Sequence, residues 1–177
     1  MRMRVSAALL IPLAFLAGVP PRAAAAQSQK KDYLSALEAD KIRDAESPNE
    51  RIKLFLEFAD DRLKKFQYEL AHPSPNHHAV ILNALLNAYV GCVDDAADRI
   101  EDGIQNQENL RKGIELMIRR AAEFLAVLRE IETAGVELSL YKENLDDAIE
   151  GTRDALHDAE KAKKEVAPPP VRRRNAP

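Results

Sequence analysis

The chain has 177 residues, 26 of them basic and 29 acidic, with a single cysteine and no tryptophan. That length suits one domain, and mild acidity argues against nucleic acid as a general partner, because binding it requires a basic face to displace counterions. One cysteine excludes an intrachain disulfide, so the core must hold the fold, and the few aromatics leave little material for base or sugar stacking.

The first 26 residues read as an export signal. Arg2 and Arg4 form a basic start, Val5 to Val19 an apolar stretch, and Ala24-Ala25-Ala26 a small-residue exit before Gln27. The apolar stretch contains Pro12 and runs for about 15 residues, short of the roughly 20 that a membrane-spanning helix needs. Cleavage between Ala26 and Gln27 is therefore expected, with no stable membrane span afterwards. No cysteine follows the small residues, which argues against a lipid anchor. Removing Arg2, Arg4 and Arg22 and no acidic residue leaves 23 basic against 29 acidic residues, a charge near −6. The expectation is a bacterial protein that works in the periplasm or is secreted.

Beyond the signal, prolines stand only at 48, 73, 75, 168, 169, 170 and 177, so the stretches 49–72 and 76–167 lack the strongest helix breaker. A short helix is predicted from about Ala36 to Ala45, with Ser35 and Glu38 as a capping box. The next start is sharper, since Ser47-Pro48-Asn49-Glu50 combines a capping serine, a first-position proline and an acid at the third position. From there Ile52, Phe55, Leu56, Ala59, Leu63, Phe66 and Leu70 recur at steps of three and four, one face of a helix ending near Ala71. His72-Pro73-Ser74-Pro75-Asn76 is a turn, with Asn76 as the expected cap of a third helix carrying Leu82, Leu86, Tyr89, Val93, Ala97, Ile100 and Ile104. Cys92 falls at the edge of that stripe and reads as a small buried hydrophobe.

Asp102-Gly103 and Asn106 point to a turn over 102–109, against the alternative of one continuous helix. Continuing the apolar phase would place Gln107 and Arg111 on the core face, a conflict that a loop relieves. A fourth stripe, Leu110, Ile114, Met117, Ala121, Leu125, Leu128 and Ile131, ends at Gly135 in the position favouring left-handed backbone. A fifth, through Tyr141, Leu145, Ala148, Ile149, Thr152, Leu156 and Ala159, is entered through Ser139. Acid-to-base pairs four apart, such as Asp60–Lys64, Asp61–Lys65 and Asp95–Arg99, mark solvated faces. The four long helices are each about 24–28 residues, roughly 40 Å at 1.5 Å per residue. The expected fold is all-α: an antiparallel up-down four-helix bundle with a short extra N-terminal helix over residues 27–166, and a disordered Pro/Arg-rich tail over 167–177. That tail, with Arg172-Arg173-Arg174, suits electrostatic contact with an anionic surface or an acidic partner.

The chemistry-bearing residues are few. His72, His77 and His78 cluster around the first long turn, and three imidazoles can hold a transition metal with an open position. Yet adjacent His77 and His78 on a helix point about 100° apart, which opposes a shared ion. A di-iron carboxylate site would need paired Glu-x-x-His motifs at one depth; Glu69 with His72 and Asp154 with His157 lie at different depths. The serines lie mostly at turns or helix starts and form no nucleophile elbow, and the glycines form no phosphate loop. Helical acid pairs such as Asp94-Asp95 are expected to face solvent. The composition resembles that of many bacterial secreted helical proteins. The leading expectation is a non-enzymatic exported bundle, without a cofactor, acting by contact with a protein or an envelope component. The alternative is a periplasmic transition-metal-binding protein that uses the turn at 72–78.

Overall fold

The computed structural model describes residues 33–166. The expected signal, its Ala26–Gln27 cleavage site and the basic tail lie outside the described residues. Within them there are five α-helices and no strand: α1 (Ala36–Asp44), α2 (Pro48–Ala71), α3 (His78–Gln105), α4 (Arg111–Ala134) and α5 (Lys142–Glu165), with a 3-10 turn at Leu138–Leu140 before the last.

The helix starts follow local chemistry where side chains can cap them. Ser35 and Glu38 form the reciprocal capping box of α1, and Ser47 accepts the Glu50 N–H ahead of Pro48 in α2. Gly135 closes α4 in left-handed backbone at φ 64. Two starts differ from expectation. α3 begins after His77, itself in left-handed backbone with no side-chain cap, rather than after Asn76. α5 follows Tyr141, because Ser139 is taken up in the 3-10 turn.

The turn between α3 and α4 is real, and Gln107 and Arg111 are exposed. Leu110, fully buried, presses where a β-carbon on Gly103 would stand, only 2.5 Å from such an atom. A side chain there would displace the residue that seals the turn. The first residues of α4 have no cap of their own. Asn49, in the first turn of α2, supplies one: its Oδ1 accepts the Gly113 N–H at 2.7 Å and its Nδ2 donates to the Asn109 carbonyl at 2.6 Å. One amide thereby satisfies an orphan helix donor and ties the starts of α2 and α4 together.

The apolar stripes face one another. α2 lies along α3 and α4 along α5, while α3 also packs on α5 and α2 on α4. α3 and α4, though joined by a short turn, touch little. Phe66 meets Tyr141 edge-on at 5.1 Å and Tyr89 meets Phe124 at 5.6 Å, contacts worth ~1 kcal/mol each beyond the area they bury. The Tyr89 hydroxyl shares a 2.6 Å hydrogen bond with Thr152, so the aromatic core carries no unsatisfied phenol there. α3 is long and apolar enough to cross a bilayer, yet it is a core helix, with Leu82, Leu86, Tyr89 and Val93 buried. Cys92 is buried too, as expected. The arrangement is an all-helical bundle.

Candidate functional site

The histidine turn resolves into three different environments. His72 is exposed and stacks on Tyr68 at 4.4 Å, and His77 is exposed at the start of α3. His78 alone turns inward. Its Nδ1 lies 2.7 Å from Glu69 and its Nε2 2.9 Å from Glu137. An ionised carboxylate only accepts, so two carboxylates facing the two ring nitrogens favour the doubly protonated, cationic ring. The two carboxylates raise the His78 pKa above its ordinary value, Glu69 foremost, and His78 in turn lowers that of Glu69. Glu69 also accepts from the Ser74 N–H and hydroxyl, each at 2.9 Å. The cluster therefore clamps α2, its following turn, α3 and the loop before α5. The structure does not bring the three histidines together, and no group of three metal-ligating side chains occurs among the described residues. Glu69 and His72 share no site, and Asp154 and His157 are exposed on α5.

A second polar cluster anchors the N-terminal segment. Arg62 of α2 is 8 % exposed and forks onto both oxygens of Glu38 at 2.7 Å. It also donates to Asp61 at 2.7 Å and to the Tyr33 carbonyl at 3.1 Å. The Arg62 fork pulls the Glu38 carboxyl down to about 2. Nearby, the Tyr33 hydroxyl donates to Asp95, and its ring lies 2.8 Å from where a β-carbon on Gly91 would stand. Asp95 thus corrects the expectation that the Asp94-Asp95 pair faces solvent: Asp95 is buried against Tyr33 rather than paired with Arg99, which reaches Asp102 instead. Periodicity carries no sign of this, because its partner lies 62 positions away.

A groove opens between the C-terminal halves of α3 and α5, with a volume of about 480 Å³. Ala155, Ala159 and Ala162 leave its floor shallow, and Asp98, Glu101, Asp158 and Glu165 line it against a single Lys161. Burial and the neighbouring Asp98 charge hold the Asp94 carboxyl above the usual range, just up α3 from the groove. Sequence periodicity missed the groove, since Ala97 and Ile104 sit on the expected core stripe but line this opening. Comparison with protein-family models, with curated proteins and with solved structures finds no match to this chain.

Proposed function

We propose that the protein is an exported, non-enzymatic helical bundle that acts by contact with a protein or cell-envelope component, and that the α3/α5 groove is its contact surface. The observation that carries this reading is the contrast between the polar clusters. The carboxylates and cations of the His78 and Arg62 clusters bond to one another and hold helices together. The acids of the groove ion-pair with no Lys or Arg among the described residues. They are placed to meet a cationic surface.

The finer architecture belongs to the same reading. Four long helices alternate in direction, with α3 and α4 across the diagonal of the bundle and α1 strapped to α2 by Arg62. The shared ends support this: Asn49 of α2 reaches the start of α4, and Asn83 of α3 accepts from Asn144 of α5 at 2.5 Å. Export rests on the basic, apolar and small-residue succession of residues 1–26.

The test is capture from an envelope extract by the native protein and by an Asp98→Asn/Glu101→Gln/Asp158→Asn variant. All three positions are exposed, so the fold should survive. A specific partner held by the native protein and lost from the variant supports the reading. Equal capture by both proteins contradicts it.

A further inference from the structure

A second groove, of about 550 Å³, lies between the N-terminal halves of α2 and α4. A polar tie closes each end. At the starts of the two helices, Asn49 bonds Gly113 and Asn109. Further along, Asp60 of α2 and Arg120 of α4 form a 2.7 Å ion pair. Asn49 and Asp60 are 11 residues apart, ~16 Å of helix at 1.5 Å per residue. Between the ties the lining includes Leu56, which is buried, and Leu116, which is half-buried.

The charges on the rim are not all matched. Glu57 takes up Lys53 at 3.5 Å, and Glu115 takes up Arg111 at 3.3 Å. Asp60 is shared by Lys64 and Arg120, and Arg120 also holds Glu123. Lys112 and Arg119 line the groove and join no ion pair among the described residues. They stand seven residues apart on one face of α4, with Leu116 between them, a separation of ~10 Å along the axis. Lys112 adjoins Gly113 of the first tie, and Arg119 adjoins Arg120 of the second. An unmatched cation therefore marks each end of a bounded trough with apolar lining between. Its volume falls within the range of about 300–1,000 Å³ typical of small-molecule sites.

We infer that the α2/α4 groove binds an elongated organic dianion: one oxyanion on Lys112, the other on Arg119, and an apolar middle over Leu56 and Leu116. The planar guanidinium suits a carboxylate or phosphate fork, while the ammonium meets the other end as a point charge. A single oxyanion would leave one cation unmet. The site is independent of the contact surface proposed between α3 and α5, whose acids would repel the same molecule. Both cations are exposed, so each contact is weak and screened by salt. Selectivity comes from meeting both at once.

The experiment titrates the full mature chain with sebacate, a saturated chain bearing a carboxylate at each end, and follows backbone amide NMR shifts. Succinate, with the same end groups but too short to span the two cations, and decanoate, with one carboxylate, serve as comparisons. The expected result is saturable shifts at Gly113, Leu116 and Arg119, with Glu101 and Ala159 unmoved. Sebacate should bind more tightly than either comparison compound. Lys112→Gln and Arg119→Gln should each weaken sebacate by about twofold to fivefold and erase its advantage over decanoate. The matching α,ω-alkanediol bisphosphate forms a second arm. Tighter binding of that compound through the same two cations supports the site and makes phosphate its end group. Equal binding of sebacate and decanoate, or affinity unchanged in both variants, overturns the inference. Groove amides that neither dianion moves overturn it as well.

Discussion

Glu69 and His78 meet at 2.7 Å across the turn that joins α2 to α3, and the same carboxylate closes that turn through Ser74. The pair gives the fold a defined pH response. His78 has a folded pKa above 6.5, so its contribution is complete below that value and fades as pH rises through the raised pKa. Glu69 has a folded pKa below 4.5, so its contribution is complete above that value and fades as pH falls through the lowered one. The window in which both act in full therefore lies between 4.5 and 6.5. His78→Gln should lower the melting temperature more at about pH 5.5 than at about pH 8.5. An equal loss at both would mean that the ring acts by packing alone.

The Tyr33–Gly91 contact makes a sharper steric prediction. A methyl group at position 91 would stand 2.8 Å from the ring, forcing Tyr33 away from Asp95. Gly91→Ala should raise hydrogen exchange in α1 while leaving α4 and α5 protected. Were α1 to stay as protected as in the native chain, the ring would not be the anchor described. Arg62→Ala acts on the same segment, and leaving Glu38 without its fork should cost ~3 kcal/mol.

Phe55 is 3 % exposed within the α2 stripe. Phe55→Ala should destabilise the protein by about 3–5 kcal/mol in chemical denaturation. A loss below about 1 kcal/mol would place that face outside the core.

The local features of the fold were legible in the sequence, and the long-range polar ones were not. Ser35 with Glu38, Ser47 with Pro48, and Gly135 each announce a helix end through chemistry within a few residues. The conflict at Gln107 and Arg111 marked the turn for the same reason. Asn49 capping Gly113, Tyr33 reaching Asp95, and Glu137 reaching His78 join positions 64, 62 and 59 apart. No helical period encodes such pairs. The sequence grouped His78 with His72 and His77 as a metal-binding candidate, but its ring nitrogens face carboxylates rather than the other two histidines.

The export reading makes a mass prediction. Protein recovered outside the cytoplasm should begin at or near Gln27. An intact Met1 end on that material would remove the export claim.

The most direct test of the account is site-specific photo-crosslinking in living cells, with the reactive group at Glu101 in the α3/α5 groove and a control at Glu57 between α2 and α4. The account predicts a discrete cross-linked product in the envelope fraction from position 101 and none from position 57. A product from position 57 alone, or identical products from both, would contradict the groove as the surface through which the protein works.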